Sequence, residues 1–394
     1  MTQLAPFYAM NNVIQDYAWG STTSVNELFG IANPEGKPQA EIWMGAHPNG
    51  CSQIWVDGEW QSLATMIANA PDAMIGAATQ ATFGELPYLF KVLAADKALS
   101  IQVHPSKAQA ETGFAKEEAA GLAASAANRN YKDPNHKPEL VFALTPYLAM
   151  NGFRELPEMI ALFEQVNVAE IEELVAALKQ GSDAKALAAF FHAMLSLDGE
   201  RKDGALAALM SYANAHADDK LCALLIDLET QYPGDIGLFA PLMLNVVMLA
   251  PGEAMFLDAC TPHAYIKGTG LEIMANSDNV LRAGLTPKFM DVEELVACTR
   301  FESMPVGEIL TQPLMEAGIS HFPVPVNDFK ISVYQGEHAL RTDSAEILLA
   351  IDAPMTLRCG EAMLTVEKGH SAFVPAATGE FSVDSAGRFA RAYN

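Results

Sequence analysis

The sequence predicts a mainly β protein: two double-sheet jelly-roll units, with a small all-helical domain inserted into the first. Three observations carry that expectation. Segments of period-two alternation crowd residues 1–151 and return after Leu242. Between 152 and 232 the apolar residues switch to helical spacing. A Pro-Gly or Lys-Gly pair leads into a strand in both β stretches, at "APGEAMFL" and "EKGHSAFV". The expected units are residues 1–151 and 233–315 for the first jelly roll, 152–232 for the helices, and 316–394 for the second jelly roll.

In chain order, "QDYAWG" (15–20), "AEIWMGAHPNG" (40–50), "QIWVDGEWQSL" (53–63) and "YLFKVL" (88–93) read as short strands with their turns. "LSIQVHPSK" (99–107) reads as a half-buried strand, because Leu99, Ile101 and Val103 alternate with Ser100, Gln102 and His104 before Pro105 stops the ladder. The Ala-rich stretch 108–127 is expected to be a solvent-facing helix, and "HKPELVFAL" (136–144) resumes a strand. In the inserted unit, Asn167 with Glu170 suggests a helix start. Ile171, Leu174, Val175 and Leu178 follow at helical spacing, and Gly181 closes the segment. Leu221, Leu224, Leu225 and Leu228 repeat that spacing, so four or five helices are expected. "IGLFAPLMLNVVMLAPG" (236–252) is uncharged but broken by Pro241 and Asn245, which marks core rather than a membrane span. "DFKISVYQG", "AEILLAIDA" and "MTLRCGEAMLTVEKGHSAFVPA" supply the strands of the last unit.

Composition narrows the function. The 394 residues carry a net charge of -24, which excludes nucleic acid and anionic membranes as partners. "MTQLAPFYAM" lacks the basic and apolar regions of a secretory leader. Cys51, Cys222, Cys260, Cys298 and Cys359 are scattered and form no C-x-x-C, so a cytoplasmic protein with reduced, mostly buried thiols is expected.

The unusual feature is the polar face of "LSIQVHPSK", which offers an amide and an imidazole two residues apart and no solvating charge. Glu139 is the first polar residue entering the next strand, and His263 starts another beside Pro262. Gln102, His104, Glu139 and His263 form a four-donor set suited to a borderline divalent ion, zinc foremost. Residues 88–145 and 261–290 each carry a net charge of +1 in this acidic chain, as a pocket for a small anion such as a phosphate ester requires. Glu272, in the apolar strand "LEIMA", calls for either an ion-pair partner or a catalytic part. His338 and His370 stand alone and read as structural, so a single metal site is expected.

At these residues the chain resembles the type I mannose-6-phosphate isomerases, zinc enzymes of the cupin superfamily. The likeness runs through "VIQDYAWG", "AEIWMGAHPNG", "LPYLFKVLAADKALSIQVHPSK", "NHKPELVFAL", "LNVVMLAPGEAMFLDACTPHAYIKG" and "MANSDNVLRAGLTPKFMDVEEL". It implies cupin-type jelly rolls and one zinc ion per chain on Gln102, His104, Glu139 and His263. It also implies Arg282 as the main catalytic residue, with Lys91, Lys137 and Glu272 in the pocket and Ser100 and Lys288 on the substrate phosphate. The implied reaction moves a proton between C1 and C2 of a phosphosugar through an enediol, in a monomeric cytoplasmic enzyme. Crowded cations are expected to lower the lysine pKa values, and Glu272 to be raised or paired. Two histidines and a carboxylate also describe non-haem iron oxygenases, and a cupin could bind a sugar phosphate without turning it over. The ring of lysines with Arg282 and the complete donor set favour the isomerase.

Overall fold

In the computed structural model, residues 4–394 are described; Met1–Gln3, the start of the stretch read against a leader, lie outside the described residues. The architecture is mainly β with a helical insertion. Its central sheet runs Val13–Gln15, Glu41–Met44, Tyr88–Ala95, the second half of His263–Ala275, Glu139–Ala143, Ala254–Leu257 and Leu310–Thr311, antiparallel throughout. Both faces of this sheet are covered. Ile42, Phe90, Val92, Leu140, Phe142, Leu271 and Ile273 point one way, into a core shared with Ile331, Val333, Ile347 and Phe373 of the C-terminal unit. The alternate residues, among them Glu41, Lys91, Glu139 and Glu272, point the other way.

A second sheet faces those alternate residues. It is ordered Leu244–Leu249, Tyr147–Phe153, the first part of His263–Ala275, Gln102–Val103 and Leu281–Arg282. One strand therefore serves both sheets. His263–Ala275 slips register between Tyr265 and Lys267 and bends at Gly268, where φ is +133° and a Cβ would lie 2.6 Å from the Pro146 carbonyl oxygen. Glycine alone fits so close a crossing, and the bend brings His263 and Glu272 to one chamber from two different sheets.

The back of the second sheet is covered by the helical unit. Its five helices within 152–232 are Leu156–Val166, Glu172–Gly181, Ala184–Leu195, Gly199–Ala215 and Lys220–Gln231. Their core is continuous with Ile101, Val103, Ala264, Ile266, Leu281 and Ala283. Asn167 corrects the expectation of a helix start. It ends the first of these helices in the left-handed conformation, φ +56°, a conformation asparagine tolerates, after Pro157 has begun that helix in its first turn. The Ala-rich stretch contains the helix Lys107–Ala119, started by a Ser106/Gln109 capping box.

The C-terminal unit is built from Lys330–Arg341, Glu380–Tyr393, Glu346–Ala350, Ser371–Val374, Met355–Cys359 and Ala362–Val366. Leu348, Met355, Leu357, Val383 and Phe389 fill its interior. His338 and His370 contact backbone carbonyls of Gln335 and Lys368. Tyr8–Asn11 pairs with Ser371–Val374 on one side and with Gln53–Val56 on the other, so two stretches of the first 151 residues are hydrogen-bonded into the C-terminal sheet. All five cysteines are free. Among the described residues, no helix is long and apolar enough to cross a membrane.

Candidate active site

Three predicted residues are set side by side by strand register. Arg282 lies opposite Gln102, and Gln102 opposite His263, so their side chains share one face of the second sheet. The strand expected over 99–104 is regular only at Gln102–Val103, because the segment divides its hydrogen bonds between two neighbours. Leu99 donates to the Tyr265 carbonyl (2.8 Å), while Ile101 donates to Gly284 (3.0 Å) and accepts from Ala283 (2.9 Å). The alternation survives. Ile101 and Val103 go under the helical unit, and Ser100 and Gln102 line the cleft.

The two imidazoles and Glu139 meet at the floor. His104 Nδ1 lies 2.7 Å from the Asn279 carbonyl oxygen. A carbonyl only accepts, so Nδ1 carries the hydrogen and Nε2 presents a lone pair. That Nε2 is buried without a hydrogen-bond partner, 3.3 Å from Glu139 Oε1. His263 is held the same way, with Nδ1 3.0 Å from the Thr261 carbonyl oxygen and Nε2 3.6 Å from Glu139 Oε2. The donor atoms of His104, Glu139 and His263 all lie within 4.8 Å of one another.

Burial, then the neighbouring Lys137, pulls His104 down to about 4, and burial lowers His263. Burial opposes ionisation of Glu139, but the Lys137 ammonium beside it outweighs burial and holds the carboxyl well below its usual range. Two neutral imidazoles with fixed tautomers and an ionised carboxylate are the donors zinc takes, and an orphaned buried Nε2 is what a metal would satisfy. Gln102 lines the same chamber as Glu139 and His263, and its amide nitrogen donates to Ser100 Oγ at 3.3 Å.

Cations surround this floor. Lys137 donates to Glu139 Oε1 at 2.5 Å. Lys91 is the register partner of Glu272 and donates to its Oε2 at 2.7 Å. Glu41, held by the Trp43 indole at 2.6 Å, lies 3.7 Å from the same ammonium. Burial alone would lower Lys91, but Glu272, Glu41 and Glu139 together raise it. The expected lowering of that lysine is therefore corrected, because three carboxylates face it. Glu272 is raised by burial against the pull of Lys91, and it is paired as well.

Arg282 is half-buried, and burial lowers it. Lys288 stands exposed at the mouth, lowered by burial and by the charges of Arg282 and Lys132. The loop carrying Lys288 is held by Asp235, which follows the last inserted helix and accepts from Leu285 N (2.7 Å) and Thr286 N (3.0 Å). Ser100, Gln102, Lys91, Lys137, Arg282 and Lys288 share the wall of one cleft of about 480 Å³. Beneath it, Glu139, His263, Glu272 and Tyr265 line a chamber of about 70 Å³. Nine of the ten residues predicted from the sequence line this cleft or chamber; His104 lies behind them, in contact with Glu139. Sequence reasoning missed Glu41, Trp43, Tyr265 and Asn279. The rule that singled out Glu272, a carboxylate in an apolar strand, applies equally to Glu41 in "AEIWM".

Comparison with known proteins agrees along the chain. Phosphomannose isomerase type I, catalytic domain, matches residues 7–156; its helical insertion domain matches 162–244, and the mannose-6-phosphate isomerase cupin domain matches 318–394. Mannose-6-phosphate isomerase of Salmonella typhimurium is 49% identical over 97% of this chain and 98% of its own length. The rat (Rattus norvegicus) enzyme of that name is 38% identical over 89% of this chain and 88% of its own. A crystal structure of the Salmonella typhimurium enzyme with fructose 6-phosphate and zinc superposes with a TM-score of 0.95 at 49% identity, covering 99% of this chain and 100% of that one. With identity at this level and domain matches in this order, the chain belongs to the type I phosphomannose isomerase family.

Proposed function

We infer that this chain interconverts mannose 6-phosphate and fructose 6-phosphate, an aldose–ketose isomerisation in which a proton moves between C1 and C2 through an enediol. The observation that carries the reading is a buried His104–Glu139–His263 cluster, in the protonation states a metal needs, beneath a cleft walled by lysines and an arginine. Zinc on Gln102, His104, Glu139 and His263 would supply Lewis-acid stabilisation of negative charge on the substrate oxygens.

The remaining roles belong to the chain's own residues. Lys288 and Ser100 bind the phosphate near the mouth, as one charged and one hydroxyl donor. Arg282 shares a face with Gln102 and stabilises the charge that develops as the enediolate forms. Lys91 and Lys137 offset the buried carboxylates of Glu272, Glu41 and Glu139. Glu272, pushed up by burial, is suited to take up and return a proton. The inserted helices (152–232) and the C-terminal unit (316–394) then frame the site, while 1–151 and 233–315 supply its residues. We read the enzyme as monomeric and cytoplasmic, and the free thiols accord with a reducing compartment.

A coupled assay of fructose 6-phosphate formation tests the reading. Activity is expected to vanish with a chelator and return with zinc. Full activity after verified metal removal would overturn the assigned site.

A further inference from the structure

We propose that Tyr265 is a positioning residue for Glu139, locking the rotation of that carboxylate toward the metal position. The proposal rests on the isomerase reading above. Glu139 has one protein donor on each oxygen: Lys137 Nζ reaches Oε1 at 2.5 Å, and the Tyr265 hydroxyl reaches Oε2 at 3.2 Å. The last torsion of a glutamate is broad and has no deep staggered wells. A single hydrogen bond from a lysine on a flexible four-carbon stem leaves that torsion soft. Fixing both oxygens removes the freedom.

Tyr265 is built for this task. It lies two residues after His263 on the same strand, just before the bend at Gly268, so the ligand imidazole and the phenol share one face. Its ring is 4% exposed and packs edge-on against Tyr147, with centroids 5.5 Å apart at 76°. A phenol held by packing delivers its hydroxyl at one place, and it remains a donor at neutral pH. Tyr147 offers the natural contrast. Its ring is equally buried in the same stack, yet its hydroxyl has no hydrogen-bond partner.

The experiment compares Tyr265→Phe with Tyr147→Phe in the full-length zinc-loaded protein. Zinc retention is read by competition with a chromophoric chelator, and kcat and KM are measured at saturating zinc. Circular dichroism and a melt of the metal-free forms are recorded first. If Tyr265→Phe does not fold, Tyr265→Met removes the donor instead. Tyr265→Phe is expected to release zinc at least about tenfold more readily, within the range usual for partners that orient a metal ligand, and to lose kcat with KM changed less than about twofold. Tyr147→Phe is expected to match the unsubstituted protein in both readouts. Unchanged zinc retention in Tyr265→Phe, or an equal loss in Tyr147→Phe, overturns the proposal. Zinc retention does not depend on turnover, so an unsubstituted protein without isomerase activity would overturn the isomerase reading alone.

Discussion

The two jelly rolls bury charge in opposite ways. In the C-terminal unit one ion pair, Glu346 with Arg391, sits at the end of an interior otherwise filled by Leu348, Met355, Leu357 and Phe389. Every arm of that guanidinium is used. Nε donates to Glu346 Oε2 (2.8 Å), Nη1 to the Tyr334 hydroxyl (3.1 Å), and Nη2 to the Arg341 carbonyl (2.9 Å) and to Glu346 Oε1. In the first unit the interior holds Glu41, Lys91, Lys137, Glu139 and Glu272 around open space, and His104 Nε2 is left without a partner. Buried charge is costly unless compensated. Where the protein supplies the whole compensation, the charge is structural. Where it leaves a lone pair and a cleft, the missing compensation is a ligand.

Substitutions at the two interiors should break this contrast in different currencies. The largest effects belong to the first unit. His104→Ala is expected to lose zinc and activity together, and Arg282→Ala to keep both zinc and fold while kcat falls by roughly 10²–10³. Metal content measured alongside kcat separates them, and normal turnover by Arg282→Ala would remove its assigned role. Next comes Arg391→Met. It strands Glu346 and should destabilise the protein by about 3–5 kcal/mol in a denaturant or thermal melt, with activity per folded molecule unchanged. A large activity loss without a stability loss would show that the C-terminal interior also does chemistry.

The smallest effect sharpens the contrast through pH. Burial, helped by Lys137, lowers His104 from 6.5 to about 4. In metal-free protein its contribution to stability is thus complete above pH 6.5 and is lost as pH falls toward 4. Glu346, raised from 4.5 by burial despite Arg391, has the opposite sign. Its contribution is complete below pH 4.5 and is lost as pH rises through its higher folded value. Melts of the metal-free His104→Ala protein should show a shallower acid-side slope than the unsubstituted metal-free protein, with the lowered His263 and Glu139 supplying what remains.

Part of the candidate cluster, the face shared by Gln102 and His104, was legible because strand alternation is local. Ser100, Gln102 and His104 alternate with residues that go under the helices, so three side chains declare their face within one short segment. Arg282 and Lys288 stood out only as cations in a locally basic window, and their roles came from the family resemblance rather than from alternation. Tyr265 was not legible, since an aromatic two residues into an apolar strand looks like core until its hydroxyl is seen against Glu139. The raised Lys91 depends on Glu41 and Glu272 arriving from neighbouring strands on either side, which no spacing along the chain reveals. Asn167 misled because a short amide suits both ends of a helix, and the left-handed backbone that decides between them is a property of the folded chain. The pairing of Tyr8 with Phe373 is silent in sequence for a plainer reason: no turn joins the two strands.

That pairing sets a clock on synthesis. Its partner strands are ~365 residues apart, an interval of roughly 20–70 s on a ribosome adding about 5–20 residues per second. Gln53–Val56 emerges early and can cover one edge of Tyr8–Asn11 through Met10 and Asn11, but the other edge stays open until Ser371–Val374 appears. For most of its manufacture the chain therefore carries an unpaired strand edge, with the exposed Trp55 and Trp60 on the adjoining hairpin. This nascent edge is where stalled or shortened chains are expected to associate with one another.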